Sequence, residues 1–166
     1  MNSKRCHTVR IYWTYPRNLN TCIYSPYYEN DFGLYYITRQ YKLKNSPIFI
    51  ERNLYVGETK RSFKIRLNEH KNDGSSWIYS YGYKYVRFGI IENLPHFDEE
   101  RELKRFLRTI ETSIIFKLNE NPYNPVTGDL INISQTRSGN IFYNLKIVNR
   151  GFHGKIPTII YTSEFL

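Results

Sequence analysis

Residues 55–70, with the sequence YVGETKRSFKIRLNEH, connect the end of one predicted strand to a predicted helix. The apolar run that ends at residues 54–57 is typical of a buried strand. Within residues 62–71, three side chains recur at helical spacing: Phe63, Leu67 and His70. This stretch therefore predicts a strand that passes into a helix after only a few residues.

A second apolar run, residues 33–38, precedes this stretch, and the intervening residues 42–47 have the Lys, Asn, Ser and Pro content of a turn. The two runs therefore predict an antiparallel hairpin that leads into the helix. Further on, residues 84–92 predict a third strand. Residues 99–119 predict a long amphipathic helix, because apolar side chains recur at three- and four-residue intervals: Leu103, Phe106, Leu107, Ile110, Ile114 and Leu118.

Both ends of the chain add strand-like segments to this pattern. Residues 141–148 and 158–161 predict two strands, and alternation near the N-terminus places four side chains on one face of another: Val9, Ile11, Trp13 and Tyr15. The order predicts an α+β fold, in which a small, mainly antiparallel sheet (the hairpin plus a third strand) is flanked by helices and carries β-rich N- and C-terminal extensions. Since no repeat or linker interrupts the sequence, residues 1–166 are predicted to form a single domain.

Composition and charge narrow the class of protein. The 166 residues are 40% hydrophobic and include 24 Lys and Arg against 15 Asp and Glu, a formal charge of +9, so we expect a folded, basic protein. No apolar run approaches the roughly 20 residues that span a bilayer, and the N-terminus lacks the pattern of a secretory signal. We therefore expect a cytoplasmic location and no membrane partner. The positive charge favours a polyanionic partner such as nucleic acid.

Several chemically active side chains occupy informative positions. At about 100° per residue, Glu111 falls within the apolar stripe of the long helix, where it is paired with an arginine, leans out at the helix edge, or binds a cation. On the first helix, Arg66 and His70 are four residues apart and share a face. Four cations surround them, Lys60, Arg61, Lys64 and Lys71, so this helix carries either a solvated basic surface or a phosphate-binding one.

Five elements occur in an order that resembles the GIY-YIG nuclease family: Gly33-Leu34-Tyr35, Tyr55-Val56-Gly57, the helical Arg66 and His70, Glu111, and Asn121-Pro122-Tyr123-Asn124-Pro125. The resemblance covers residues 32–125, which would form the catalytic core. This chain departs from the family pattern in two places. The connection from Tyr35 to Tyr55 is longer than usual, which predicts an enlarged turn, and Glu58 stands where a neutral or basic residue is commoner.

The resemblance implies a metal-dependent endonuclease, a hydrolase of phosphodiester bonds, with one Mg²⁺ or Mn²⁺ in each active site. It assigns the metal to Glu111, the phosphate oxygens to Arg66, and the attacking water to Tyr35 and Tyr55, with His70 assisting. A phenol acts as a base near neutral pH only if neighbouring cations lower its pKa, so His70 is a rival general base. Asn124 would support the local geometry by hydrogen bonding, and contact with DNA is expected at Lys60, Arg61, Lys64 and Lys71.

The partner implied by the resemblance is double-stranded DNA, cut by a restriction or other defence nuclease, or by a phage nuclease, in a bacterial or phage-infected cell. One such cluster cuts one strand, so a double-strand break is simplest in a homodimer. The extensions, residues 1–31 and 126–166, are candidates for dimerisation or DNA contact. Two alternatives stay open: a catalytically silent nucleic-acid-binding module of the same fold, and a structural partner protein whose basic charge is incidental.

Overall fold

Seven strands and two α-helices make up most of the described part of the chain. The computed structural model describes residues 6–119 and 138–165. The strands are β1 (His7–Trp13), β2 (Arg17–Asn18), β3 (Gly33–Lys42), β4 (Phe49–Thr59), β5 (Tyr83–Ile91), β6 (Leu145–Gly151) and β7 (Ile159–Tyr161), and the helices are α1 (Phe63–Asn72) and α2 (Glu100–Asn119). Among these residues, neither helix is apolar and long enough to cross a membrane.

One sheet contains all seven strands. Their order is β4-β3-β5-β1-β6-β7, and β2 pairs with part of β5. Neighbouring strands are antiparallel except β1 and β6, which run parallel. The α+β class is therefore confirmed, but the sheet is larger and more mixed than the predicted hairpin plus third strand. The two terminal extensions continue the sheet, because β1 pairs with β5 and β6 pairs with β1.

The predicted hairpin and the helix that follows it are both present. The side chain of Ser62 caps the start of α1 by accepting the backbone N–H of Ile65. The prediction of an enlarged turn is wrong. The added residues instead lengthen both strands, so β3 continues to Lys42 and β4 begins at Phe49, and the register shifts after Ile37. The hairpin thus extends well beyond Tyr35 and Tyr55.

The two helices cover opposite faces of the sheet. Tyr35 and Ile37 of β3 pack in one cluster with Phe63 and Leu67 of α1. The alternate residues of the same strand pack with α2 in a second cluster, whose members include Leu34, Tyr36, Leu107, Ile110 and Ile114. Residues 33–38 are therefore buried on both faces, which explains why they read as a continuous apolar run rather than an alternating one.

Gly33 allows α1 to approach the sheet this closely. Its φ is +153°, and a Cβ at this position would lie 2.7 Å from the Phe63 ring and 2.7 Å from the carbonyl oxygen of Gly89. Any side chain there would push α1 away from the hairpin. Gly33 therefore has a packing role.

The ends of the chain differ in detail from the sequence prediction. Tyr15 was expected to share the buried face of Val9, Ile11 and Trp13, but β1 ends at Trp13 and Tyr15 is 63% exposed. The predicted strand over residues 141–148 begins only at Leu145, after a 3₁₀ turn at Ser138–Asn140.

Candidate active site

Two tyrosines of the hairpin lie side by side on the face that α1 covers. The rings of Tyr35 and Tyr55 stack with their centroids 5.9 Å apart and an interplanar angle of 15°. His70, in the last turn of α1, brings its Nε2 to 2.7 Å from the Tyr35 hydroxyl, and its Nδ1 lies 2.7 Å from the Ser75 hydroxyl. Both nitrogens of the imidazole are therefore held in place.

Gly57 makes room for this arrangement. Tyr35 and Gly57 lie directly opposite each other in the antiparallel register of β3 and β4. A Cβ built on Gly57 would overlap the Cζ and hydroxyl oxygen of Tyr35, so the phenol lies across the space that a side chain would fill. Gly57 thus lets Tyr35 reach His70.

Arg66 lies one turn before His70 on α1. Its guanidinium is 3.1 Å from the Glu69 carboxylate and also hydrogen-bonds the Tyr35 phenol. A guanidinium can only donate hydrogen bonds, so the Tyr35 oxygen accepts from Arg66. The Tyr35 hydroxyl also hydrogen-bonds both His70 and Tyr55. In the tautomer of His70 that is protonated on Nδ1, Nδ1 donates to Ser75 and Nε2 accepts from Tyr35.

Burial sets the protonation of this cluster. It raises the pKa of Tyr35 well above the ordinary value and also raises the pKa of Tyr55, although Arg66 acts in the opposite direction on both. Burial, reinforced by Arg66, lowers the pKa of His70 to about 4. At neutral pH both phenols are therefore protonated and His70 is a neutral hydrogen-bond acceptor. The cations needed to make a phenol basic are present, but desolvation outweighs them.

Glu111 reaches the same site from α2. The backbone N–H of Glu58 donates to its carboxylate. Burial and the Glu58 carboxylate raise the pKa of Glu111 to about 8, against the opposing effects of Arg108 and Arg66. Glu111 in turn raises the pKa of both hairpin tyrosines, Tyr55 more prominently than Tyr35. Glu111, Arg66 and the two phenols thus act on one another at β4, the outer strand of the sheet.

A cationic pocket lies beside this cluster. It has a volume of about 220 Å³ and is lined by Glu58, Thr59, Lys60, Arg61, Arg66, Lys104 and Arg108. Sequence reasoning missed Lys104 and Arg108. A signal was available, because they lie seven and three residues before Glu111 and so share its helix face. The pocket therefore gathers five positive charges: two from the segment that joins β4 to α1, one from α1 and two from α2.

The predicted DNA-binding cations divide into two groups. Lys60 and Arg61 line the pocket, where Lys60 also pairs with Glu100 and Arg61 with Glu69. Lys64 does not line it and pairs instead with Glu29 at 2.9 Å. Lys71 is exposed outside the pocket and acts electrostatically on Cys22. Asn124, together with the rest of the segment 120–137, lies outside the described residues.

The oxygen donors of the site suit a hard divalent cation. Within residues 6–119 and 138–165, no group of three or more His, Cys, Asp or Glu side chains is placed to hold a metal. Glu111 and Glu58 nevertheless offer two neighbouring carboxylates, and Mg²⁺ commonly binds one or two carboxylates while keeping several waters. The chemistry of the donor set is therefore compatible with one Mg²⁺ or Mn²⁺.

Comparison of the chain with protein-family models, with curated proteins and with solved structures finds no match. Function is therefore inferred from the residues and their arrangement. The arrangement combines a neutral imidazole, two protonated phenols, a guanidinium and a partly buried carboxyl group beside a cationic pocket. Such a set can bind an anionic phosphate at the cations and accept a proton at the imidazole.

Proposed function

We propose that this protein is a GIY-YIG-type, metal-dependent DNA endonuclease that hydrolyses phosphodiester bonds. One observation carries the proposal: side chains from β3, β4, α1 and α2 converge beside a cationic pocket at one end of the hairpin. They are Tyr35, Tyr55, Arg66, His70 and Glu111. These positions are far apart along the chain, so neither helix nor hairpin alone would bring them together.

The pocket would hold the scissile phosphate. Arg66 has a planar donor fork suited to two phosphate oxygens, and it borders the pocket while still touching Tyr35. Lys104 and Arg108 add positive charge to the pocket from α2. Hydrolysis increases negative charge on the phosphoryl oxygens, so fixed cations at this place favour the transition state.

The tyrosines and His70 would manage the proton of the attacking water. The Tyr35 hydroxyl lies 2.7 Å from Nε2 of a neutral imidazole, and it donates to Nε2 when His70 carries its proton on Nδ1. As its own proton passes to Nε2, the phenol oxygen can accept the proton of a water molecule, so the buried tyrosine need not ionise in advance. Tyr55, stacked on Tyr35, would orient that water. This relay gives His70 the role of final proton acceptor.

Glu111 would hold the divalent cation, with Glu58 as its carboxylate neighbour. When bound, Mg²⁺ or Mn²⁺ supplies Lewis-acid stabilisation of the phosphate and the leaving oxygen. The carboxyl group of Glu111 has to lose its proton to bind the cation, and Arg66 and Arg108 both favour the ionised form.

The proposed substrate is double-stranded DNA, and the proposed role is a restriction, defence or phage nuclease. A site of this kind cuts one strand in one event, so two copies of the chain on a twofold-symmetric target would produce a double-strand break. The net charge of +9 supports a polyanionic substrate.

The direct test is incubation of the purified protein with supercoiled and base-modified phage DNA in Mg²⁺. We expect nicked or linear products from the wild type and none from Glu111→Gln. Glu102→Gln is the matched control, because Glu102 lies on the same helix but pairs with Arg105, and this variant should cut normally. Cleavage of RNA with no cleavage of any DNA would overturn the DNA assignment.

A catalytically silent nucleic-acid-binding module is the second candidate, and Glu58 is the observation that favours it. Its carboxylate helps to keep Glu111 protonated at neutral pH, which opposes cation binding. In that case the wild type would bind DNA without metal and without hydrolysis, and Glu111→Ala would bind with the same affinity.

A further inference from the structure

An open groove lies at the end of the hairpin away from the candidate active site. It has a volume of about 470 Å³ and is lined by Gln40, Tyr41, Lys42, Phe49, Tyr81, Gly82 and Tyr83. Six residues of β3 separate Tyr41 from Tyr35, which is about 20 Å of extended chain. The groove is therefore a separate site, built on the residues that lengthen β3 and β4.

The groove presents aromatic rings to solvent. Tyr81 is 74% exposed, Tyr83 is 65% exposed and Phe49 is 60% exposed. Large apolar side chains concentrated at one exposed place usually mark a binding surface. Elsewhere in the fold some tyrosines are fully buried, such as Tyr35 and Tyr36, and others are exposed, such as Tyr15 and Tyr24. The groove differs because Tyr41, Tyr81, Tyr83 and Phe49 line one open site together.

Backbone geometry holds these rings in place. Gly82 has a φ of +100°, and a Cβ on it would lie 2.7 Å from the carbonyl oxygen of Gln40. Beyond this glycine, Tyr83 pairs with Gln40 in the register of β3 and β5, and before it Tyr81 meets Tyr41 edge to face at 6.1 Å. The Arg39 guanidinium lies 5.6 Å from the centre of the Tyr41 ring.

The charge around the groove favours an anionic occupant. Residues 38–52 and 79–91, the two segments that form this end of the sheet, contain six cations, Arg39, Lys42, Lys44, Arg52, Lys84 and Arg87, against one carboxylate, Glu51, which pairs with the buried Arg87 at 2.9 Å. A second copy of the groove would bring like charges together, which opposes self-association here. Flat rings combined with positive charge match a nucleic-acid strand, whose bases stack on aromatic side chains while its phosphates meet cations.

We propose that this groove binds unpaired nucleotides of a nucleic-acid strand, with bases stacked on Tyr81 and Tyr83 and phosphates near Lys42 and Arg39. A base within a duplex is already stacked on its neighbours, so only unpaired or extruded bases can use these rings. The site requires no cleavage chemistry, and it stands whether or not the protein is a nuclease.

The test is fluorescence anisotropy with a labelled oligothymidylate in EDTA, which keeps the readout independent of hydrolysis. A stacking loss of about five-fold or more for each aromatic ring predicts that Tyr81→Leu combined with Tyr83→Leu weakens binding by at least about 25-fold. The corresponding pair of Tyr→Phe substitutions keeps the rings and should bind like the wild type. Tyr24→Leu is the control for loss of an equally exposed tyrosine elsewhere, since Tyr24 is 74% exposed.

Three outcomes would overturn the proposal. The first is the absence of oligothymidylate binding by a folded wild-type protein. The second is equal binding by the Leu and Phe pairs. The third is a wild-type dimer in sedimentation that the Leu pair dissociates, which would make the groove a protein interface. Failure of DNA cleavage in Mg²⁺ would contradict the proposed nuclease but leave this result unaffected.

Discussion

The buried imidazole of His70 makes the stability of the protein depend on pH. His70 is only 6% exposed, and its pKa in the folded chain is lowered to about 4. In the unfolded chain its pKa returns to about 6.5. As the pH falls below that value the unfolded state takes up the proton first, so folding stability is complete above about pH 6.5 and is lost progressively towards pH 4.

The expected loss follows from the two pKa values. At pH 5 the pH lies about 1.5 units below the pKa of His70 in the unfolded chain, whereas His70 in the folded chain is still largely neutral. At about 1.36 kcal/mol per pH unit, the unfolding free energy falls by about 2 kcal/mol. Carboxylates such as Glu51 also titrate in the acid range. Comparison with His70→Gln removes their contribution, because the amide does not titrate and every carboxylate is still present.

The assay is urea denaturation of both proteins at pH 7 and pH 5, followed by circular dichroism. The wild type should lose about 2 kcal/mol more unfolding free energy than His70→Gln between these pH values. Equal losses would show that His70 is not buried in neutral form, and the proton relay from Tyr35 would lose its acceptor. A smaller loss in the wild type than in the variant would reverse the sign and refute the same reasoning.

Three further predictions concern the surroundings of the site. Gly57→Ala should displace the Tyr35 ring and lower the unfolding free energy by about 1–3 kcal/mol, measured by urea denaturation. Glu58→Gln should lower the pKa of Glu111 from about 8, because it removes a neighbouring negative charge; a carbon NMR titration of labelled glutamate would report this change. Arg108→Ala should weaken duplex DNA binding in Ca²⁺ and reduce the slope of log affinity against log salt by about one, measured by anisotropy.

Each of these predictions has a matched control or a contradicting result. Gly139→Ala should be nearly neutral, because nothing lies within 4 Å of a Cβ at that position. An unchanged pKa for Glu111 in Glu58→Gln would show that the two carboxylates do not interact. Arg10→Ala removes the same charge from an exposed position on β1, and an equal salt slope in both arginine variants would show that Arg108 has no specific phosphate contact.

Local sequence patterns correctly predicted the elements that carry the candidate site. The spacing of Phe63, Leu67 and His70 predicted α1, and all three side chains are buried. The apolar stripe of residues 99–119 predicted α2 to within one residue. Hydrophobic periodicity within one element depends on neighbouring residues, so it can be recognised in a short segment. The position of Glu111 within that stripe could be recognised from the sequence for the same reason.

The tertiary structure decided what no single segment could specify. β1 pairs with β5 and β6, whose residues are far from it along the chain. Through this pairing, the two segments that were predicted as terminal extensions become part of the sheet. Most residues between Tyr35 and Tyr55 extend β3 and β4 rather than enlarge the turn. The ends of these longer strands line the groove of Tyr41, Phe49, Tyr81 and Tyr83. These outcomes depend on which strands meet, and strand pairing is a non-local choice.

The sequence by itself therefore determined the residue types, their spacing on each element and the excess of positive charge. Only the folded structure decided that Lys104 and Arg108 face the same pocket as Arg66, and that Lys64 does not. It also decided the direction of the pKa changes in Tyr35 and His70, since desolvation depends on everything packed around a group. Burial is a property of the whole fold, whereas periodicity belongs to each segment.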